Sequence, residues 1–395
     1  MVKRRILFHQ THFLRGGIET SLISLLRALD RSKFEIGLTI TYPTEALDTL
    51  YRAQIPKDVA IHVLAPEGWL SYFRQKKTQG KLGLLGKIYE EGLLPLVRRA
   101  IVSRRFRKLA AGYDAVVDYD MSLSRITGRL PIPMLGYSHF SVAHLPSQNP
   151  RKLRKLRAQA RDHYDRVVLL NDTMLQDIRA LIPQESNKFV RLYNSIDLER
   201  IRELGHTGSA PLAEPYMVSV GRLQESQKDF STLLRAFALL VKDGLTEKLA
   251  IVGEGKSRAE LETLAAELGI AERVVFAGFQ ANPYVWMQHA RLMVFSSKME
   301  GLPNVLLEAM ALGQLVVSTD CPVGPREILA EGKAGLLVPV GDAPALAQAM
   351  RQGLHDEATR TALLSYAATH IEQMGFGPTT AAFADCIATV IKERS

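Results

Sequence analysis

Short apolar runs of strand type, each followed by residues with helical spacing, recur along this 395-residue chain. Residues 4–9, 34–41, 59–64, 113–119, 133–138 and 166–170 form one series, and residues 216–220, 249–252, 274–279 and 292–296 form a second. Strands alternating with helices predict parallel sheets covered by helices. In such sheets ligands gather beyond the carboxyl ends of the strands. The length exceeds one ordinary core, so two domains of about 150 to 200 residues are expected.

The stretch M-V-F-S-S-K-M-E-G-L-P-N-V-L-L-E, residues 293–308, is the most informative junction. A strand hands over to a helix whose first position suits the fixed φ of Pro303. Gly301, Leu302, Asn304 and Val305 would then aim unpaired amides and the positive end of the helix dipole past the sheet edge, where an anion belongs. Glu300 precedes the helix, and Glu308 lies one turn past Asn304. Carboxylates beside a phosphate cradle serve hydroxyls, so the pair describes a pocket for a nucleotide-sugar. As a bare spacing, the two acids suit a helix-start residue and a solvated surface residue equally well.

A second loop carries cations. Gly221-Arg222-Leu223 follows the run 216–220, and Lys228 stands six residues past Arg222. Arginine grips a diphosphate with two donors, while lysine adds a point charge. Near the N-terminus Gly16-Gly17 stands before a helix, where glycine lets backbone approach a ligand; a plain turn reads the same way. The pair fits neither G-x-G-x-x-G nor G-x-x-x-x-G-K, and Gly253-Glu254-Gly255 lacks a third glycine at the dinucleotide offset. His139 closes the run 133–138 at a strand's carboxyl end. Read alone, such a histidine is more often packed or solvated; His144 is a weaker competitor.

Together these segments resemble the retaining glycosyltransferases of family 4, whose signature is a Glu, seven residues and a second Glu on a strand-loop-helix. The agreement continues through residues 309–313 and 318–327, and it is dense from 218 to 341 but sparse earlier. The resemblance implies an α/β fold of GT-B type, two Rossmann-like doubly wound domains facing a central cleft. Residues 1–195 would bind the acceptor and residues 196–375 the nucleotide-sugar, with the final helix, 376–395, packing back on the first domain. It implies that Glu300 meets the donor sugar and Glu308 the ribose hydroxyls, and that Arg222 and Lys228 neutralise the leaving diphosphate. Gly16 and Gly17 would face the donor phosphates, Phe276 and Gly278 belong to the segment that meets the base, and His139 would lie beside the sugar. His139, Glu300, Arg222 and Lys228 are therefore the catalytic candidates, and no metal or other cofactor is implied. The implied reaction moves a hexose or N-acetylhexosamine from a nucleotide-sugar, preferably a UDP-sugar, to a hydroxyl of a glycan or lipid-linked acceptor. It proceeds with retention, in cell-envelope polysaccharide or lipopolysaccharide synthesis. A sugar-nucleotide epimerase or phosphorylase of the same architecture would share the Glu pair.

The net charge of +9 is uneven. Residues 1–190 hold 31 Lys+Arg against 17 Asp+Glu, leaving 19 against 24 for the rest. A half-specific positive field suits a polyanionic partner. Residues 69–111 read as a long helical insertion with eleven Lys+Arg between Arg74 and Lys108 against Glu90 and Glu91, and R-K-L-R-K-L-R follows at 151–157. Bases among aromatic and aliphatic residues suit an anionic membrane surface; solvated basic helices explain the same residues. A nucleic-acid-binding protein would fit the charge, but RNP, zinc and helix-turn-helix signals are missing. Cys321 and Cys386 show no metal-ligand spacing and suit a reducing cytoplasm. With neither a signal-like N-terminus nor an apolar run of spanning length, a peripheral place on the inner face of the plasma membrane is expected.

Overall fold

A computed structural model describes residues 3–14, 16–65, 83, 94–143, 147 and 149–394. They form two compact units, one of Met1–Leu170, Leu175–Leu192 and Thr380–Ser395, the other of Asn171–Met174 and Tyr193–Thr379. The first holds a seven-stranded parallel sheet ordered β3-β2-β1-β4-β5-β6-β7. Its strands are β1 (Arg4–Gln10), β2 (Phe34–Ile40), β3 (Ala60–Val63), β4 (Ala115–Asp118), β5 (Met134–Ser138), β6 (Arg166–Leu169) and β7 (Phe189–Arg191). Parallel strands covered on both faces read as continuous apolar runs, and Ile6, Leu7 and Phe8 are all fully buried. The last helix, Phe376–Arg394, contributes Phe383 to this core, stacked on Phe8 at 6.0 Å and edge-on to Phe34 at 6.3 Å. From β1 the chain builds β2 and β3 on one side, then returns to the other side at β4. The sheet's switch point thus falls between β1 and β4, the crevice in which open α/β sheets hold ligands.

The second unit repeats this plan with six parallel strands ordered β10-β9-β8-β11-β12-β13. They are β8 (Tyr216–Val220), β9 (Lys248–Val252), β10 (Val274–Gly278), β11 (Leu292–Phe295), β12 (Val316–Thr319) and β13 (Leu336–Val338). The helix Phe230–Lys242 buries Phe230, Leu233, Leu234, Phe237 and Leu240, the i, i+3, i+4, i+7 stripe of a core-facing helix. Each such side chain contributes about 2 kcal/mol by leaving water. Here the switch point lies between β8 and β11. It brings together the two loops that carry the cations and Glu300, although about seventy residues separate them in sequence.

Two expectations need correction. Pro303 is not the first helical residue; it stands at the N-cap with φ −73° and ψ 93°, and the helix runs Asn304–Ala311. Part of the basic insertion is structural rather than a free amphipathic surface. In the helix Leu94–Ala110, Arg98 is buried at 5% exposure, Arg105 Nη1 donates to the Leu64 carbonyl at 2.7 Å and Arg107 to that of Thr127. The remainder of the insertion, residues 69–82 and 84–93, lies outside the described residues except for Gly83, and His144 lies outside them too.

Candidate functional site

In the second unit, β8 ends at Val220 and the chain turns through Gly221 and Arg222 into a single helical turn, Glu225–Lys228. Asp229 follows with φ 49°, and its carboxylate accepts from Thr232 Oγ1 at 2.8 Å and pairs with Lys298 at 3.0 Å. This fixes where Lys228 points. Its Nζ donates to Glu300 Oε1 at 2.6 Å and sits 5.1 Å from the centre of the Phe295 ring. The pair is largely removed from water, with side-chain exposures of 16% for Lys228 and 9% for Glu300. Gln227, which the sequence reading passed over, reaches the other Glu300 oxygen at 3.5 Å and the Met299 carbonyl at 3.3 Å. The Arg222 guanidinium is exposed and has no side-chain partner among the described residues, so its donors remain available to an anion.

Glu300 is also held through its backbone, its amide donating to the Pro322 carbonyl at 2.8 Å. The loop after β12 comes this close because Gly324 adopts φ 109°; a Cβ there would stand 2.7 Å from the Gly301 carbonyl oxygen. Gly253 and Gly255 serve the same end on the other side. A Cβ on Gly253 would meet the Gly221 carbonyl oxygen at 2.0 Å, and one on Gly255 that of Leu223 at 2.2 Å. The G-E-G sequence therefore packs backbone on backbone beside the cation loop. At the helix start, Leu306 N already bonds the Pro303 carbonyl, while Val305 precedes the first intrahelical bond. Asn194 Nδ2 donates to Asn304 Oδ1 at 2.9 Å and so sets that side chain.

One turn past Asn304, Glu308 meets Tyr284 of the short helix Tyr284–Gln288. Burial pushes its carboxyl from the ordinary 4.5 up to about 7, and a hydrogen bond from Tyr284 only partly offsets this. Phe276 and Gly278 lie on the edge strand β10, two strands away from the switch point. The Phe276 carbonyl accepts from Arg258 at 3.3 Å and the Gly278 carbonyl from Gly253 N at 2.8 Å.

The first unit holds the remaining candidates. Gly16 caps the helix Gly17–Ala28, its extended amide donating to the Tyr51 hydroxyl at 3.4 Å, and Gly17 begins that helix. His139 follows β5 and is buried. Its Nε2 donates to the Tyr119 carbonyl at 2.6 Å, which leaves Nδ1 as the acceptor of the neutral ring. Desolvation lowers its pKa to about 4, so the ring is neutral at pH 7. Tyr137 stacks on it at 6.0 Å, and Tyr119 lies tilted against it at 4.8 Å.

His9, Asp118 and Asp120 converge at the ends of β1 and β4, close enough to share a cation, yet two of the three are already engaged. His9 Nδ1 meets Thr39 Oγ1 at 2.9 Å and Nε2 meets Thr41 Oγ1 at 3.3 Å. Asp118 accepts from Tyr164, Leu123 N and Ser122 N. The donor set favours hydrogen bonds within the protein over metal. Asp120 was not singled out from the sequence, where a carboxylate after an apolar run carries no signal.

Residues 214–356, which include the whole of the β8–β11 site, match the family profile described as glycosyl transferases group 1. The chain carries a glycosyltransferase group 1 domain. Over 178 residues the chain is 39% identical to N-acetylgalactosamine-N,N'-diacetylbacillosaminyl-diphospho-undecaprenol 4-alpha-N-acetylgalactosaminyltransferase of Campylobacter jejuni, covering 45% of this chain and 47% of that protein. Over 153 residues it is 39% identical to the lipopolysaccharide core biosynthesis glycosyltransferase LpsE of Rhizobium meliloti, covering 39% and 43%. The matched stretches thus span less than half of either relative. Similarity of fold extends further. Anabaena HepE, solved with UDP and glucose, matches 98% of this chain over 100% of its own with a TM-score of 0.73 at 19% identity. A variant of S. aureus TarM, solved with UDP and alpha-GlcNAc-glycerol among its ligands, matches 98% over 99% with a TM-score of 0.74 at 13% identity. With the two Rossmann-like sheets, these neighbours make the fold around the glycosyltransferase group 1 domain GT-B.

Proposed function

We propose that this protein transfers a hexose or N-acetylhexosamine from a UDP-sugar to a hydroxyl of a glycan or lipid-linked acceptor, in cell-envelope polysaccharide or lipopolysaccharide synthesis. The carrying observation is the Lys228–Glu300 pair at the β8–β11 switch point, with the exposed Arg222 on the same loop as Lys228, inside the matched family segment. A departing diphosphate needs concentrated positive charge. Arg222, Lys228 and the amides at the start of the helix Asn304–Ala311 supply it without a divalent cation. Glu300, oriented by Lys228 and Gln227, accepts from donor-sugar hydroxyls, while Glu308 accepts from the ribose. Gly16 and Gly17 approach the phosphates, residues 276–278 meet the base, and the free Nδ1 of His139 accepts from the sugar. Retention of configuration belongs to this reading. The names of the relatives and the UDP complexes of the fold neighbours favour it over epimerisation or phosphorolysis.

An anionic membrane surface is the proposed place of work, at the inner face of the plasma membrane. No helix of the described residues is long and apolar enough to cross a membrane. The helix Pro150–Asp162 exposes Arg151, Lys152, Arg154, Lys155 and Arg157, and Lys152 lies 5.5 Å over the 57%-exposed ring of Phe140. Calorimetry with UDP, GDP and ADP in the presence of a chelator, followed by product NMR with UDP-sugars, tests the proposal. Binding of UDP without metal and an axial product from an axial donor are expected. A preference for GDP, an absolute need for metal or an inverted product would overturn the corresponding part.

A further inference from the structure

In the second unit, the helical turn that carries Lys228 is bound to the loop after β11 at three consecutive positions. The Lys298 amide donates to the Gln227 carbonyl at 2.7 Å. Ser296 Oγ donates to the carbonyl of Lys228 itself at 3.0 Å, and Ser296 is buried. The Lys298 side chain then reaches past Lys228, its Nζ lying 3.0 Å from Asp229 Oδ1. Lys298 therefore grips the turn on both sides of Lys228, by main chain before it and by side chain after it. Two residues further along the same loop stands Glu300, whose Oε1 accepts from Lys228 Nζ.

Two ion pairs thus cross between the same two loops with opposite polarity. Lys228 of the first loop meets Glu300 of the second, and Asp229 of the first meets Lys298 of the second. Asp229 holds a left-handed backbone, φ 49° and ψ 46°, which glycine adopts freely and an aspartate only at a cost. Both of its carboxylate oxygens are engaged, Oδ2 by Thr232 Oγ1 at 2.8 Å and Oδ1 by Lys298, and the side chain is 4% exposed. Without the Lys298 charge this buried carboxylate would lack its counter-ion and would draw on the neighbouring cation, Lys228, in competition with Glu300. We propose that Lys298 and Asp229 are positioning residues, whose ion pair keeps Lys228 committed to Glu300 and so sets the charge that receives the diphosphate. This deepens the transferase reading above and rests on it for the identity of the ligand. A lysine on a flexible four-carbon stem needs such outside restraint, because small misplacements of a charged group are costly at a reacting centre.

The test is a double-mutant cycle on the full chain, with UDP titrated by ligand-observed NMR so that weak binding still registers. Lys298→Met keeps the stem and removes the charge. It should weaken UDP about tenfold, short of the roughly 10²-fold scale of a 1 Å misplacement. In a Lys228→Ala background the same change should cost less than about twofold, because the residue it acts through is gone. Lys298→Arg, which restores a cation to Asp229, should bring UDP affinity back to within about twofold of wild type. A long-range field from Lys298, or a general loosening of the fold, would instead weaken UDP equally in both backgrounds. That result, an unchanged affinity in Lys298→Met, or no recovery in Lys298→Arg overturns the positioning role while leaving the transferase reading intact. Should Lys298→Met not fold, Asp229→Asn takes its place under the same criteria, since asparagine tolerates the left-handed backbone and keeps an oxygen for Thr232. A wild type that does not bind UDP fails the transferase reading, and the positioning role with it.

Discussion

Glu308 offers a pH signature that a solvated surface acid would not show. Its carboxyl is held at about 7 against an ordinary 4.5, a displacement worth about 3 kcal/mol against the ionised form. Ribose hydroxyls that donate to Glu308 stabilise the carboxylate, and returning its pKa fully to 4.5 sets the upper limit of the effect. Nucleoside binding then expels a proton below neutrality, about 0.9 at pH 6 and about 0.1 at pH 8. Affinity should rise by up to about 30-fold between pH 5.5 and pH 8. Uridine is the ligand of choice, because a terminal phosphate titrates near pH 6 and would confuse the reading. Calorimetry in buffers of different ionisation enthalpy counts the proton directly. In Glu308→Gln both the proton release and the pH slope should vanish. For the unliganded protein the sign is opposite: the folded state holds this proton more tightly than the unfolded chain, so stability falls as pH rises from 4.5 to 7. Uridine affinity that is flat across this window, or a slope that survives Glu308→Gln, would refute the assignment.

The other predictions concern charge, backbone and core. Arg222→Ala and Lys228→Ala should each lower kcat/KM by about 10²-fold or more in a coupled UDP-release assay, and unchanged kinetics would remove the residue from the site. Charge reversal at Arg151, Arg154 and Arg157 should release the protein from vesicles containing anionic lipid while leaving UDP binding intact; wild-type binding that ignores salt would defeat the electrostatic account. Gly253→Ala pushes a Cβ to 2.0 Å from the Gly221 carbonyl oxygen, so UDP affinity and thermal stability should fall together, measured by calorimetry and a melt. Phe383→Ala should cost about 3–5 kcal/mol in denaturant unfolding of the first unit, since its ring fills the space against Phe8 and Phe34.

Much of the fold is legible because a parallel strand covered on both faces leaves an unmistakable trace, as in Ile6-Leu7-Phe8 or Met293-Val294-Phe295. Helix phase is legible for the same reason in Phe230–Lys242. Strand order is another matter. That Lys228 and Glu300 share one hydrogen bond depends on β8 lying against β11, and no local pattern spells out which of six strands are neighbours. Arginines mislead for a different reason. Composition counts Arg98, Arg105 and Arg107 as surface charge, yet guanidinium groups reach carbonyls and aromatic faces over long apolar stems. Gly253 and Gly255 fail a ligand motif but succeed as packing glycines, because the atoms they avoid belong to a loop some thirty residues away.

The two switch points are closed by different materials. In the second unit the loops after β8, β9, β11 and β12 are closed by main chain against main chain, with Gly253, Gly255 and Gly324 admitting the approach. On the proposed reading such a frame leaves the side chains Arg222, Lys228, Glu300 and Glu308 for recognition and needs little reorganisation when a diphosphate arrives. In the first unit the loops after β1 and β4 are closed through side chains, Asp118 on residues 122, 123 and 164 and Asp120 on Thr11. The same strand order thus carries loops closed by main chain in one unit and loops closed by side-chain hydrogen bonds in the other.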